Sequence, residues 1–164
     1  MSDAGPQADT TAAWAALLRA HAALVPRLDR ELRAAVGVPL AWYDVLLELY
    51  AAPNRRLRMS DLGERVVLSR SRVSRVVDEL VTAGLVQREI NPEDGRSALA
   101  ALTDTGLARF RSAAPVYLEG IERHFTRYLT ARERETIARA LNRALAAEPA
   151  VPPRRPRLTN HAGR

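Results

Sequence analysis

The segment 69–75 alternates short hydroxyl side chains with long cationic ones and reads Ser-Arg-Ser-Arg-Val-Ser-Arg. A hydroxyl donates or accepts a hydrogen bond at short range, and a guanidinium presents a planar fork of donors that matches phosphate oxygens or a guanine edge. The pattern therefore favours contacts between phosphate groups or bases and Ser71, Arg72, Ser74 and Arg75. The serines keep an ordinary alternative, because hydroxyls more often bond to phosphate or water than to a base.

Positive charge is concentrated around this segment. The chain has 164 residues and a formal net charge of +6, and all 25 basic residues are arginine. Residues 55–75 hold seven arginines and two acidic residues, a net charge of +5. Such a block is typical of a phosphate-binding surface, although a solvated helix face gives the same pattern. Arg55, Arg56 and Arg58 therefore either contact a nucleic-acid backbone or solvate a turn.

Composition excludes several kinds of site. There is no cysteine, which removes disulfides, thiol redox chemistry and zinc–thiolate sites. The three histidines, His21, His124 and His161, form no metal-binding pair in the sequence, so we expect neither a metal nor a cofactor. No combination of nucleophile, base and orienting group is visible, so we do not expect an enzyme.

The sequence also predicts a cytoplasmic protein. No apolar run approaches the roughly 18 residues that a membrane span needs. The first residues lack the basic and apolar blocks of a secretory signal.

Two short helices are predicted to position the segment 69–75. Ser60 is placed to cap a helix over 61–67, and Ser69 to cap a second helix over 70–83 that Gly84 ends. Two capped helices with so tight a connection predict a helix-turn-helix. The second helix has apolar residues at helical spacing, which predicts that one side of it faces a core. These residues are Val73, Val76, Val77, Leu80 and Val81.

The remaining pattern predicts strands and longer helices around this motif. Apolar segments over 85–90 and 98–102 flank a run of turn formers, which predicts a β-hairpin, and 55–59 suits a single edge strand. Helices are predicted over 11–36, 40–52 and 104–128 and in a last segment that reaches residue 147. Gly37 is predicted to end the first helix and Thr103 to cap the third, and a Thr130–Glu133 capping box begins the last. Pro26 and Pro115 should bend or interrupt their helices.

Several motifs, taken in order, closely resemble the MarR family of bacterial regulators across most of residues 35–130. The first two are Ser69-Arg70-Ser71 at the start of the second helix and the run from Leu80 to Arg88, which contains Ala-Gly-Leu-Val at the end of that helix. The other two are Asp94-Gly95-Arg96 in the hairpin loop and Leu102-Thr103-Asp104-Thr105-Gly106 after the hairpin. Each motif alone is weak evidence, but their order and spacing together are specific.

The resemblance implies a winged helix-turn-helix that is mainly α with a small β-hairpin wing, in a homodimer whose N- and C-terminal helices interlock. Residues 1–10 would be a disordered N-terminus, 11–36 a dimerisation helix, 37–103 the DNA-binding lobe, 104–148 further dimerisation helices, and 149–164 a flexible basic tail.

The resemblance also implies a transcriptional regulator, more often a repressor than an activator, that binds an inverted repeat in double-stranded DNA. Ser69, Arg70, Ser71, Arg72, Ser74 and Arg75 would face the major groove. Arg96 would enter the minor groove, whose narrow form concentrates negative potential, and Asp94 would orient it. Arg72 departs from the family, because many members carry a smaller residue there.

Members of this family commonly hold a small aromatic or anionic effector between the dimerisation helices and the DNA-binding lobe. Trp14, His21, Trp42 and Tyr43 are the candidate pocket residues, although aromatic side chains at helical spacing also suit a core or a dimer interface. A rival interpretation keeps the same fold without DNA recognition, as an antirepressor or adaptor module.

Overall fold

The computed structural model describes residues 6–66, 68–92, 94 and 97–147. The predicted wing-tip Arg96, the tail 149–164, residues 1–5 of the N-terminus and the side chain of Arg70 lie outside this description. The described chain is mainly helical with one small antiparallel sheet, as the sequence predicts.

The first helix, α1, spans Pro6–Val36. It begins at Pro6 rather than at residue 11, so residues 6–10 are helical where the sequence predicts disorder. Proline suits this position because the first turn of a helix needs no hydrogen bond from that nitrogen. The predicted interruption at Pro26 is wrong, because α1 continues through it. One lost hydrogen bond is offset by the burial of residues such as Leu32 against the core.

A sharp turn joins α1 to the second helix, α2, which spans Leu40–Ala51. Gly37 ends α1 with a positive φ of 68°, where glycine carries no Cβ penalty. The first N–H of α2, on Leu40, donates to the Asp29 carboxylate at 2.8 Å. Asp29 therefore caps a helix that begins 11 residues later in the chain.

The helix-turn-helix follows α2. A 3-10 turn over Pro53–Arg55 leads into the strand β1, Arg56–Arg58, and then into α3, Met59–Arg65. The predicted cap at Ser60 is wrong, because α3 begins at Met59 and Ser60 lies in its first turn, with its hydroxyl donating to Asp61 at 3.0 Å. The helix starts early because β1 ends at Arg58, where its pairing with Leu99 stops.

The second helix of this motif, α4, spans Arg70–Thr82. Gly84 ends it with a φ of 71°. The Leu85 N–H donates to the Leu80 carbonyl and the Gly84 N–H to the Val81 carbonyl, both at 2.9 Å, which is the Schellman pattern. The predicted glycine stop is confirmed.

The sheet has the strand order β1-β3-β2, with β2 at Val86–Ile90 and β3 at Ala98–Leu102. All pairings are antiparallel, with Gln87 opposite Ala101 in the hairpin and Leu57 opposite Ala100 at the edge. The predicted hairpin and the single edge strand are both confirmed.

The long helix α5 spans Asp104–His124 and begins at a tight crossing with the start of β2. The Thr103 hydroxyl donates to the Gly84 carbonyl at 2.8 Å and accepts from the Gly106 N–H at 2.9 Å, which confirms the predicted cap. The kink expected at Pro115 does not interrupt α5. Contacts between α1 and α5 include His124 Nε2 and Glu31 Oε1 at 2.6 Å.

One core joins these elements. It contains Leu32 of α1, the inward side of α2, the apolar stripe of α4, and residues of the sheet and of α5. The largest fully buried side chains include Leu46, Leu49, Leu62, Leu80 and Val77.

The chain divides into two units, one up to Arg127 and one from Tyr128 onward. The described part of the second unit contains α6, Ala131–Ala147. The Thr130 N–H donates to the Glu133 carboxylate at 2.7 Å, and the Glu133 N–H donates back to the Thr130 hydroxyl at 3.3 Å. This reciprocal pair confirms the predicted capping box.

Within the described residues, no single helix has the length and hydropathy of a membrane span. Only the pair of α1 and α2, which meet at 83°, reaches those values together.

Candidate nucleic-acid interface

The two sides of α4 have opposite character. Val73, Val76, Val77 and Leu80 are buried, which confirms most of the predicted stripe, whereas Val81 is partly exposed. The exposed side carries the hydroxyl and guanidinium groups of Ser71, Arg72, Ser74 and Arg75. The core thus holds α4 by one side and leaves its hydrogen-bonding side to solvent.

The first turn of α4 is open to an anion. Ser69 occupies the N-cap position, but its side chain does not cap the helix, and its Oγ lies 3.3 Å from Oγ of Ser71. The N–H groups of a first helical turn have no partner within the helix, and the helix dipole adds positive potential there. The N-terminal end of α4 therefore favours negatively charged groups such as phosphates.

Two side-chain contacts hold α4 against its neighbours. The Trp42 indole N–H on α2 donates to the Glu79 carboxylate at 2.8 Å. On the other side of the helix, Arg88 of β2 donates to the Asp78 carboxylate at 2.7 Å. No local sequence pattern predicts either contact, since the partners lie 37 and 10 residues apart on different elements. They fix α4 relative to α2 and to the hairpin.

The base of the hairpin is closed by hydrogen bonds around Asn91, which is 3% exposed. Its amide donates to the Ser97 hydroxyl at 2.9 Å, and its N–H donates to the Ser97 carbonyl at 3.1 Å. The Asp94 carbonyl accepts from the Ser97 N–H at 2.9 Å. Asp94 is exposed on this closed loop, directly before the undescribed Gly95 and Arg96. From the sequence, Asn91 is predicted only to be a turn former.

The arginines near β1 form a separate group. Arg55 has a positive φ of 56°, and Arg56 pairs with Glu89 at 3.3 Å. Arg55 and Arg56 line a cavity of about 670 Å³ with Tyr50 and Gln87, which includes no residue of α4. Arg58 is exposed at the end of β1. Arg55 and Arg56 therefore border a cavity that is separate from the exposed side of α4.

The four candidate effector residues are not brought together. Trp14 is 61% exposed on α1. Tyr43 is 3% exposed and packs in the core, with its ring centroid 5.5 Å from that of Phe110 and 4.5 Å from that of Tyr117. Tyr43 is therefore a core residue, in line with the alternative that the sequence analysis kept open. Trp42 and His21 line two different cavities.

These two cavities are neighbours, because Arg33, Ala41 and Arg72 line both of them. The outer cavity, of about 680 Å³, is lined by Trp42, Glu79 and the α4 residues Ser71, Arg72 and Arg75, among others. The inner cavity, of about 450 Å³, lies among α1, α2, α4 and α5 and is lined chiefly by His21, Val25, Asp44, Leu68, Arg72 and Tyr117. Asp44 and Tyr117 are not predicted as pocket residues from the sequence, because no local pattern marks them.

Burial is the largest single influence on the pKa values of the acidic groups in the inner cavity. Burial, and then the nearby Glu48 carboxylate, raise the pKa of Asp44 to about 6. Burial and the Asp44 charge also raise the pKa of Tyr117. For Asp29 the largest single effect is burial, which raises the pKa. The hydrogen bonds from Arg33 and Leu40 and the charges of Arg33 and Arg72 outweigh it, so that the pKa of Asp29 is lowered.

We expect Asp44→Asn to stabilise the protein at neutral pH. Because the pKa of Asp44 rises on folding, the folded state holds this proton more tightly than the unfolded chain. The advantage is full below the unfolded value of 3.8 and is lost as the pH rises through about 6. A shift of this size is worth about 3 kcal/mol before solvent screening, so the variant should gain about 1–2 kcal/mol at pH 7.

Urea unfolding of both proteins between pH 4 and pH 8 measures this difference. The groups that face Asp44 and titrate or carry charge are His21, Asp29 and Arg33 on α1, Tyr43 and Glu48 on α2, Arg72 on α4, and Tyr117 on α5. Glu122→Gln, at an exposed position of α5, is the control and should show no such trend. A stability difference for Asp44→Asn that does not grow with pH would contradict this account.

Comparison with known proteins agrees with this geometry. A model described as the MarR family matches residues 36–97, which include α2, the helix-turn-helix and the first hairpin strand, β2. The HTH-type transcriptional regulator PrsX of Escherichia coli is 30% identical over 120 residues, which cover 71% of this chain and 69% of PrsX.

Solved structures extend the similarity beyond the helix-turn-helix. Sco3205, a MarR family transcriptional regulator from Streptomyces coelicolor solved in complex with DNA, is 31% identical with a TM-score of 0.80, covering 87% of this chain and 90% of its own. The PcaV regulator of the same organism, solved in complex with its natural ligand, is 28% identical with a TM-score of 0.66, covering 90% of this chain and 99% of its own.

The order of the motifs, the winged fold and these identities agree, and they confirm the resemblance seen in the sequence. The chain belongs to the MarR family of DNA-binding transcriptional regulators, which is not a family of enzymes.

Proposed function

We propose that this protein represses transcription as a homodimer bound to an inverted repeat in double-stranded DNA, and that a small-molecule effector releases it. It would act in the cytoplasm, where a regulator reaches its DNA. The observation that carries the proposal is the division of α4 into a buried apolar side and an exposed side of serines and arginines.

On this proposal α4 enters the major groove. Its first turn would meet the backbone, because an open helix N-terminus with Ser69 and Arg70 attracts phosphate. Arg75, one turn further along, would reach base edges, where a guanidinium pairs bidentately with guanine. The neighbouring Ser71 and Ser74 would bond to bases or phosphates. The phosphate contacts would position α4 on the duplex, and the base contacts would recognise the sequence.

The wing would bind beside α4. Hydrogen bonds between Asn91 and Ser97 close its base. Arg96 at its tip would enter the minor groove, oriented by Asp94, and gain electrostatic energy there without a base-specific pair. Arg55, Arg56 and Arg58 would touch the flanking backbone, and the ion pair with Glu89 would hold Arg56 beside the sheet.

The homodimer is supported by apolar side chains that this chain leaves exposed on its terminal helices. They are Trp14, Leu17 and Leu18 on α1, Leu118 on α5, and Leu141 and Leu145 on α6. Exposed apolar groups of this size commonly mark interfaces. A second copy that covers them would create a two-fold axis, and a two-fold dimer reads an inverted repeat with its two recognition helices about one helical turn apart.

The effector is supported by the two cavities beside α4 and by the solved structure of PcaV, which holds its natural ligand. A molecule bound between α1, α2 and α4 would change the spacing of the two DNA-binding lobes in the dimer. Two recognition helices at the wrong spacing cannot both enter the grooves of one duplex.

Selection from a random duplex pool tests this function directly. We expect the purified protein to enrich an inverted repeat, to elute as a dimer, and to bind the enriched duplex more tightly than random duplex at physiological salt. The logarithm of its affinity should fall linearly with the logarithm of salt concentration, with a slope of about −0.9 for each phosphate neutralised. A monomeric protein, or equal binding to every duplex at low salt, would instead support the rival adaptor module.

A further inference from the structure

The cavity beside β1, the β1 cavity, lies at the end of the sheet that is remote from the hairpin loop. Arg56 of β1 and Gln87 of β2 both pair with Ala101, whereas the loop joins Ile90 to Ala98. The volume of this cavity, about 670 Å³, lies within the range of small-molecule sites, about 300–1,000 Å³. The β1 cavity is therefore large enough for a ligand and lies apart from the loop that carries the predicted wing tip.

One wall of the β1 cavity is an aromatic ring that is supported from behind. Tyr50 is 44% exposed, and its ring stacks on that of Phe110 with 4.6 Å between the centroids and 29° between the planes. Phe110 is buried in the core, which fixes the position of the Tyr50 ring. Ala52 and Ala101, which are buried and short, also line the cavity and leave room in front of this ring. A flat ring of a ligand can stack there.

Arg55 lines the β1 cavity from a strained backbone position. In the tight turn over 53–56, the Arg56 N–H donates to the Pro53 carbonyl, and Asn54 and Arg55 have positive φ values of 52° and 56°. Asparagine tolerates this region, and glycine is favoured at the second position of such a turn. Strained residues of this kind are frequent at ligand sites. The choice of arginine over glycine therefore indicates a role for the side chain at this position.

The two guanidiniums of the β1 cavity differ in their partners. Arg56 pairs with Oε2 of Glu89 at 3.3 Å, and Oε1 of the same carboxylate accepts from Gln87 Nε2 at 2.7 Å. Among the residues that the structure describes, Arg55 has neither an ion pair nor a side-chain hydrogen bond. One carboxylate thus faces two arginines, which leaves one positive charge in excess. A phosphate group compensates this charge and matches the fork of donors on a guanidinium.

We propose that the β1 cavity binds a free nucleotide, with its phosphate at Arg55 and Arg56 and its base against the ring of Tyr50. Such a molecule supplies a partner for the unpaired guanidinium and for the exposed ring at the same time. The inference goes beyond the proposed function, which gives these arginines only a contact with the backbone of flanking DNA. A duplex offers the same phosphate but keeps its bases stacked inside, so only a free nucleotide can also use the ring.

Calorimetry of the full-length protein without DNA tests this site, with AMP as the probe. Ribose 5-phosphate carries the phosphate without the base, and adenosine carries the base without the phosphate. We expect AMP to bind about tenfold or more tightly than either compound, because the phosphate and the base both contribute. Absence of AMP binding, or equal affinities for AMP and ribose 5-phosphate, would overturn the proposal.

Arg55→Gly separates a binding role of this residue from a structural one. Glycine adopts a positive φ without a Cβ penalty, so the variant should unfold at the same urea concentration as the natural protein or at a higher one. It should nevertheless bind AMP about tenfold or more weakly, because the unpaired guanidinium is lost. If Arg55→Gly binds AMP as tightly as the natural protein does, the proposal is wrong.

Tyr50→Leu tests the contribution of the ring. Leucine keeps an apolar side chain against Phe110 but removes the stacking surface, so AMP affinity should fall to about that of ribose 5-phosphate. Arg65→Gln, at an exposed position of α3 outside the cavity, removes the same charge as Arg55→Gly and should leave AMP binding unchanged. An equal loss of AMP affinity in Arg65→Gln and Arg55→Gly would assign the attraction to net charge and exclude a specific site.

Fluorescence anisotropy with a long duplex distinguishes the two sources of phosphate. If AMP does not bind but Arg55→Gly weakens binding of the duplex, the phosphate at this cavity belongs to DNA, and the nucleotide site is excluded. Failure of the proposed function gives a different result. In that case the natural protein would not prefer any duplex, while calorimetry without DNA would still report whether the β1 cavity holds AMP.

Discussion

Replacement of Gly106 by alanine is expected to destabilise the fold by about 3 kcal/mol or more, although alanine is the better helix former by about 1 kcal/mol. A Cβ built on Gly106 would lie 2.0 Å from the Leu85 carbonyl oxygen and 2.8 Å from Cδ1 of Leu102. The carbonyl cannot move freely, because the Thr103 N–H donates to it at 3.1 Å where β2, β3 and α5 meet. Chemical denaturation followed by circular dichroism measures the loss.

Gly120→Ala, on the same helix, is the matched control. Its added Cβ would lie 2.8 Å from Cδ2 of Leu28, the end of a flexible side chain that can change rotamer. We expect this variant to remain within about 1 kcal/mol of the natural protein. Equal denaturation midpoints for the two variants would contradict the close approach of α5 to Leu85.

If the proposed function holds, loss of the Arg75 or the Arg96 side chain is expected to weaken DNA binding by about 1–3 kcal/mol each while leaving the proposed dimer intact. The two losses should differ in kind. Arg75→Ala should also relax sequence preference at one position in each half-site, because a base-edge contact carries specificity. Arg96→Ala should weaken binding to all duplexes more evenly, since a minor-groove guanidinium responds to groove width and potential.

Fluorescence anisotropy across a salt series measures both effects, and light scattering reports the dimer. Arg111→Ala, at an exposed position of α5, removes the same charge outside α4 and the wing and should change affinity little. Unchanged affinity of Arg96→Ala at physiological salt would remove Arg96 from the interface. If Arg75→Ala keeps the sequence preference of the natural protein, Arg75 contacts only the DNA backbone.

These predictions differ in how much of their basis was visible in the sequence. The motif Leu-Thr-x-x-Gly marks Gly106 as part of the family pattern, but only the distance to the Leu85 carbonyl explains why no side chain fits there. Similarly, Ser69 is correctly placed at the start of α4, yet its hydroxyl lies against Ser71 instead of capping the helix. The sequence thus predicted where the helices begin, whereas packing determined which atoms Gly106 and Ser69 contact.

Several helix ends and the β2–β3 hairpin were predictable because their causes are local. A glycine with positive φ after α1 and α4, the Thr103 cap and the Thr130–Glu133 box each involve residues within a few positions of one another. The interruptions expected at the two prolines were wrong for the opposite reason. Whether a helix continues through Pro26 or Pro115 depends on the apolar surface it buries against other helices, and no local pattern reports that area.

The residues 69–75 alone were enough to indicate which groups can meet a nucleic acid, because side-chain type and helical spacing set the chemistry of an exposed face. They could not indicate that Arg72 also borders a cavity with His21, Asp44 and Tyr117, which come from three other helices. A cavity is enclosed by segments that are distant in the chain, so its charge and shape exist only once the helices have packed.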